Sequence, residues 1–386
     1  MTTKPDFHGT MQAFYRGKNL LVTGATGFIG SVLVEAVLRK LPDIGQIYCI
    51  YRNKPGAPHP KVVWIKADIS HPMWGLDAAT VATLAHDVHV VFHLAAHTRW
   101  DVGLTEHVAA NTHPVLQGAE LASQFRNLEA YVVTSSYWAA CHLPSTQIAE
   151  TIYQDYAAEH ELTAIQAGDP ARLHEWPNAY SYAKNLGERL LHQRYADMPI
   201  VLARVTSACG AWDFPSRGFC RFNNALPAFL RAITCGVHYF PESVKTTIND
   251  SIPVDLCANL LLANAVDRAG ADFSVIHCAS AARNLPSLGE MAEMAADITY
   301  FPDRPAVDAA LAKLEDKRLA KLNRVILDAY SFAFGKRTVF LDHHARRPLR
   351  WMSDDEQALF PIDVDIVDWA ELVETTLAEL KRVEYA

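Results

Sequence analysis

The chain lacks four things that would each have pointed somewhere specific: a long apolar run, an apolar leader, a basic excess and a paired-cysteine spacing. Its most apolar stretch, Leu20 to Leu38, is broken by Thr23, Thr26, Ser31, Glu35 and three glycines, so no membrane-spanning helix is expected. Met1 to Thr10 is polar and carries no apolar h-region, which argues against a secretory leader. Lys plus Arg number 35 against 43 Asp plus Glu, a formal net charge of −8, which disfavours nucleic acid as the main partner. The seven cysteines (49, 141, 209, 220, 235, 257 and 278) never form C-x-x-C. Their odd number reads as reduced thiols in a cytoplasmic protein. No Cys, His and carboxylate spacing suits a metal, so none is expected. A Ser-His-Asp hydrolase is not supported either, because there is no G-x-S-x-G turn.

What is present is an ordinary globular composition over 386 residues, half of them apolar and a fifth charged. At roughly 100–200 residues per domain this suggests about two domains. Asn19–Thr23 is a short apolar run, followed by a glycine-rich turn and by helical spacing over Phe28–Lys40. Further strands are expected at Gln46–Tyr51, Val62–Lys66, His89–Leu94 and Ala130–Thr134, with helices such as Asp77–Leu84 and Val108–Ala122 between them. This alternation predicts an α/β fold, a Rossmann-type doubly wound parallel sheet. A helix over Tyr180–Tyr195, a strand at Ile200–Val205, a helix at Val254–Ala265 and a strand at Phe273–Cys278 extend it. From Ala281 onward helical patterns dominate. The expected division is residues 11–280 for cofactor and chemistry, and 281–386 for a smaller, mostly helical substrate domain. The irregular stretch 207–250, rich in Gly, Pro and aromatics, is expected to contribute to the substrate site.

The first motif is Thr23-Gly24-Ala25-Thr26-Gly27-Phe28-Ile29-Gly30. Spaced glycines remove Cβ atoms where a backbone turns tightly beside a pyrophosphate, and the helix that follows points its N–H groups at it. The motif sits between an apolar strand and an amphipathic helix, the context it requires. The second strand ends in Tyr51-Arg52-Asn53-Lys54, where a carboxylate would bond an NAD ribose. A guanidinium there suits a ribose 2′-phosphate, so NADPH is preferred; the alternative for Arg52 is a solvated loop residue. Asp68 and Ile69 follow the third strand, and Asp68 reads either as an adenine contact or as a helix N-cap. Leu94, Ala95 and Ala96 end the fourth strand with small side chains that let a cofactor lie against backbone.

Tyr180 and Lys184 stand four residues apart and so share a helix face. A neighbouring ammonium is expected to lower the tyrosine pKa and ease proton transfer to a developing alkoxide. Thr134-Ser135-Ser136 closes the fifth strand and offers a hydroxyl to a substrate carbonyl, with Ser135 and Ser136 not separable by sequence. His343-His344 lies among Arg346, Arg347 and Arg350, and Lys313–Arg324 is also charge-rich. Each reads as a solvated basic face or as a dock for an anionic partner.

Taken together, T-G-x-x-G-x-x-G, a strand-end Ser pair and Y-x-x-x-K resemble the extended short-chain dehydrogenase/reductase superfamily. Phe14-Tyr15-Arg16-Gly17-Lys18 leading into LLVTGATGFIG resembles the opening of the fatty acyl-CoA reductases. So do His93-Leu94-Ala95-Ala96 with Arg99, Trp100 and Asp101, then Pro177-Asn178-Ala179-Tyr180, and Ile252-Pro253-Val254-Asp255. The C-terminal run Met352-Ser353-Asp354-Asp355-Glu356, Phe360, Asp363 and Val367-Asp368-Trp369 resembles that family's last domain. The resemblance implies NADPH-dependent reduction of an acyl-CoA or acyl carrier protein thioester to the aldehyde, and on to the primary alcohol. It implies Tyr180 and Lys184 as the catalytic pair, and it places the catalytic hydroxyl on Ser135. Two departures stand out. Arg204-Val205 replaces the usual R-P, with Val205 against the nicotinamide, and the chain ends without the membrane tail of many members. The competing expectations are another extended reductase acting on a nucleotide sugar or small carbonyl compound, and a non-catalytic NADP-binding protein.

Overall fold

The computed structural model describes residues 9–99, 102–143, 146–153, 157–222 and 224–384; Trp100 and Asp101 lie outside them. The apolar segments form seven strands: β1 (Asn19–Thr23), β2 (Ile47–Tyr51), β3 (Val62–Lys66), β4 (Val88–His93), β5 (Ala130–Ser136), β6 (Ile200–Val205) and β7 (Ser274–Cys278). They lie in the order β7-β6-β5-β4-β1-β2-β3, all parallel. The strand order reverses between β1 and β4, and in such sheets the crevice at the strand ends beside the reversal holds the ligand.

Helices cover both faces. They are α1 (Phe28–Lys40), α2 (Ala78–Asp87), α3 (His113–Ala122), α4 (Ala179–Tyr195) and α5 (Val254–Asp267). Side chains alternate along a strand with a period of two. Ala130 and Val132 of β5 therefore join the core formed with α1 and α5. Tyr131 and Val133 join the core formed with α3 and α4. α5 is buried on every side from Val254 to Val266; each fully buried leucine of this kind adds about 1.5–3 kcal/mol of transfer free energy. α4 starts where it does because Asn178 accepts from the Ser181 N–H at 2.8 Å, satisfying a donor that the first helical turn cannot.

Two local differences from the sequence reading have physical causes. β5 runs two residues past Thr134, ending at Ser136. The single helix expected over 108–122 instead starts as a π-helical turn at Val108–Thr112, continuing a short helix at Leu104–His107, and becomes regular only at α3. Asn111 occupies that turn, its amide accepting from the His97 N–H at 2.9 Å and donating to the His97 carbonyl at 3.0 Å. Such single π turns occur often at functional sites.

The later part of the chain adds α6 (Arg304–Lys313), α7 (Lys317–Tyr330) and α8 (Trp369–Glu384). The core does not stop near residue 280. Trp369, Leu372 and Val373 share one apolar cluster with α1 and α5. The Met11 N–H donates to Glu356 at 2.7 Å, tying the two ends of the chain together. All seven cysteines are free thiols. Among the described residues no helix is long and apolar enough to cross a membrane.

Candidate active site

The glycine turn between β1 and α1 is built for close approach. Gly24 has φ +71°, and a Cβ there would meet the Ala95 nitrogen at 2.7 Å. A Cβ on Gly30 would overlap the Gly24 carbonyl. α1 begins at Gly27, which provides no side-chain cap, and its first turn contains no acidic residue. Its leading N–H groups and positive dipole end are thus left for an anion. The end of β4 is held beside this turn by Thr23, whose hydroxyl accepts from Ala95 N–H at 3.2 Å and bonds His93 Nδ1 at 3.0 Å. Burial pushes His93 down to about 3, so its imidazole is neutral.

Three adjoining cavities run from this turn. One of about 240 Å³ includes Thr23, Gly24, Thr26, Asp68, Ile69 and Ala95 in its walls. Asp68 caps no helix: its carboxylate accepts from Ser70 N–H at 3.0 Å and Ser70 Oγ at 2.8 Å, which holds its pKa below the usual range. A larger cavity of about 770 Å³ shares Thr26 and Arg52 with the first and adds Lys54 and Arg221. Arg221 was not flagged by sequence. It comes from a segment almost 200 residues later and donates to the Thr26 carbonyl at 2.9 Å, closing over the turn. Other expected cofactor residues lie elsewhere. Phe28 is buried against Phe219 with ring centroids 6.1 Å apart, and Gly30 is consumed by packing against Gly24. The glycine cradle, the uncapped helix start and the cationic flank fit a dinucleotide.

The third cavity, about 410 Å³, shares Ala96 with the first and holds Ser135, Ser136, Tyr180 and Lys184, with Ile29, Leu94 and Val205 beside them. Ser207, Asn224, Ile326 and Tyr330 complete it, so both the 207–250 stretch and α7 reach the site. The two serines separate here. Ser135 shares the face of β5 that carries Tyr131 and Val133, lies toward α4, and donates a hydrogen bond to Glu188 at 2.5 Å. Ser136, on the opposite face at the strand end, accepts from the Trp138 N–H at 3.3 Å and stands near enough to the Tyr180 phenol to hold its pKa down. Sequence left the two serines unseparated and the resemblance favoured Ser135; both line the cavity, and it is Ser136 that bears on the Tyr180 phenol.

The electrostatics also differ from expectation. Lys184 does not lower the phenol. Burial pushes Tyr180 up to about 12, opposed by the Ser136 hydroxyl. Burial likewise pulls Lys184 down to about 8, and the Glu188 carboxylate opposes that. The Lys184 ammonium donates to the Thr134 carbonyl at 3.1 Å. His107 stands edge-on to the Tyr180 ring, 5.7 Å between centroids, and is tied to Asn111. Of the two basic clusters, Arg346 and Arg347 are engaged internally by Asp363 and Asp267. Among the described residues no group of His, Cys, Asp and Glu could hold a metal ion.

A glycine-cradled groove that ends on a Ser-Tyr-Lys constellation defines a nicotinamide-dependent reductase of the extended short-chain type. The model of the male sterility protein family of NAD-binding domains matches residues 22–59 and 57–261, and the chain belongs to that family. Fatty acyl-CoA reductase 2 of Bos taurus is 26% identical over 448 residues, covering 96% of this chain and 85% of that protein. Among solved structures, the terminal R domain of the myxalamid PKS-NRPS pathway superposes with TM-score 0.72 at 18% identity, covering 96% of this chain and 92% of that one. UDP-glucuronic acid 4-epimerase from Bacillus cereus, in complex with NAD, superposes with TM-score 0.60 at 18% identity over 95% of this chain and 99% of that one. Both structures share the fold.

Proposed function

We propose that the chain is an NADPH-dependent reductase of acyl thioesters, taking the acyl group from coenzyme A or an acyl carrier protein to the aldehyde and on to the primary alcohol. The observation that carries this reading is the meeting of Ser136, Tyr180 and Lys184 in a cavity walled by Ile326 and Tyr330 of α7. The fatty acyl-CoA reductases among its relatives support the substrate class. Arg52 and Lys54, with no carboxylate at the end of β2, support NADPH over NADH. Residues 207–250 and 281–386 make the acyl-binding part in this reading, and the free thiols fit a reducing, cytoplasmic setting.

The glycine turn at Gly24 and the uncapped start of α1 would hold a nicotinamide dinucleotide, which when bound would supply hydride for a thioester carbon. The chain's own groups handle the oxygen. Ser136 and Tyr180 donate to it as negative charge grows. Tyr180, raised to about 12, is still protonated at neutral pH and so has a proton to give. Lys184 on the next helical turn stabilises the phenolate left behind. The resulting hemithioacetal expels the thiol and leaves the aldehyde; a second reduction gives the alcohol.

The test is purified protein with NADPH and a panel of CoA and carrier-protein thioesters, read by cofactor oxidation and by mass spectrometry of products. Aldehyde or alcohol from a thioester is expected. No oxidation across the panel, with turnover of a nucleotide sugar instead, overturns the reading.

A further inference from the structure

Ser135, Arg204 and His277 stand side by side on three neighbouring strands, β5, β6 and β7, in one lateral row. All three are buried. Over this row, from α4, comes Glu188, 2% exposed. Its carboxylate is fully committed. One oxygen accepts from Ser135 Oγ at 2.5 Å, and Arg204 clamps both oxygens through Nε at 3.1 Å, with Nη2 at 2.7 Å from the second. Arg204 in turn donates to His277 Nε2 at 3.3 Å, while His277 Nδ1 lies 2.7 Å from the Leu341 carbonyl. That pattern makes Nε2 an acceptor and the imidazole neutral. Such a carboxylate cannot rotate.

Tyr180, Lys184 and Glu188 follow one another at four-residue steps along a single face of α4. Among the described residues no carboxylate forms a direct ion pair with Lys184, whose hydrogen bond goes to the neutral Thr134 carbonyl. A buried ammonium with only a carbonyl beside it tends to shed its proton. A fixed negative charge one turn away resists this, because screening inside the protein is weak. From the structure we infer that Glu188 is a positioning residue for the Tyr180–Lys184 pair: locked by Ser135 and Arg204, it keeps the Lys184 ammonium charged behind the phenol.

The other groups around Lys184 cannot substitute for it. His93 on β4 is neutral, and His107 is held low by burial. Tyr180 remains a phenol. The inference rests on the reading of Lys184 as part of the catalytic pair, but its test needs no substrate.

The experiment is an NMR pH titration of lysine ε-carbons in the whole chain, with the Lys184 signal assigned by its disappearance in Lys184→Met. In the native chain Lys184 is expected to titrate near 8. In Glu188→Gln it moves down by about one unit, a tenfold change in proton affinity. Where NADPH binds only the charged form of Lys184, its affinity, followed by fluorescence, then falls about fivefold at pH 8 and hardly changes at pH 6. A purely structural role would weaken binding equally at both pH values. Should the neutral amide of Glu188→Gln beside an unpaired Arg204 prevent folding, the double variant Glu188→Gln/Arg204→Met removes the pair together; a cation then leaves with the anion, so Lys184 is expected to move down by less than in the single variant, and a move upward overturns the inference. An unmoved Lys184 titration in a folded variant overturns the inference. A moved titration with no thioester turnover in the native chain would leave it standing and count against the proposed function alone.

Discussion

Replacing Ser136 with alanine removes the strand-end hydroxyl that bears on the Tyr180 phenol. If that hydroxyl also donates to the substrate oxygen, its loss resembles removal of one oxyanion-hole donor, about 2.7–4 kcal/mol or roughly 10²–10³ in kcat. Ser135→Ala is the matched control, one residue away and also buried. It deletes a hydrogen bond to a carboxylate that Arg204 still clamps at both oxygens. A hydrogen bond to a charged group is worth about 1.5–3 kcal/mol, and here that loss falls on the folded state. Ser135→Ala should therefore melt earlier and lose less than about tenfold in kcat. Both variants are assayed by single-turnover NADPH oxidation on a thioester and by thermal unfolding. A hundredfold loss in Ser135→Ala beside a near-native Ser136→Ala would refute the assignment and restore the hydroxyl to Ser135.

Arg52→Ala should weaken NADPH by about 1.5–3 kcal/mol, roughly 10–100-fold, through the lost charge-assisted bonds, and leave NADH affinity unchanged. Fluorescence titration of both cofactors decides it; an equal loss for both would show a solvated loop residue. The pH profile of kcat/KM should fall above about pH 8, where Lys184 loses its proton, while Tyr180 near 12 adds no limb in that range. Lys184→Met should abolish turnover yet raise the melting temperature at pH 7. A lysine whose folded pKa lies near 8 costs stability below that value. The cost fades as pH rises toward the unfolded value of about 10.4, where the unfolded chain no longer binds the extra proton. Gly24→Ala should abolish cofactor binding and destabilise the fold, because it adds a left-handed backbone cost of about 1–2 kcal/mol to a clash with the Ala95 nitrogen; native NADPH affinity in that variant would contradict the close approach.

Much of the sheet was legible because its strands are short apolar runs, and only such runs can be buried on both faces. β1 and β6 fall where the apolar runs place them, and so does β3, an edge strand only partly covered. The π-helical turn at Val108–Thr112 was not legible, because its cause is Asn111 reaching a backbone fourteen residues earlier. Tyr180 and Lys184 were found by spacing, since a helix brings four-residue neighbours together whatever surrounds it. Their pKa values could not be read the same way. Spacing shows that two groups are near, but burial sets the sign of the shift, and burial comes from strands and helices far away in sequence. The Ser135–Ser136 ambiguity has the same origin, since strand period alone cannot tell that the serine facing α4 is taken up by Glu188 while the one at the strand end bears on Tyr180. Arg221 had no local signal, and Glu188, though one further four-residue step along α4, shows its role only through Ser135 and Arg204 on distant strands.

Burial that raises the phenol and lowers the ammonium also bears on the direction of chemistry. A reductase must hold a proton ready for the oxygen that receives negative charge, and a tyrosine near 12 keeps its proton through the working range. The difficulty lies in what is left after transfer, a phenolate in a buried site. Lys184 answers it only while charged, and at about 8 it is charged by a narrow margin. The pair is thus poised by opposing effects: desolvation drives both groups toward neutrality, and the locked carboxylate of Glu188 resists this at the lysine. A site poised in this way responds strongly to a further charge at the groove. The phosphates of a cofactor seated on α1 would favour the charged lysine, so cofactor binding and the readiness of the acid are linked through one buried ammonium.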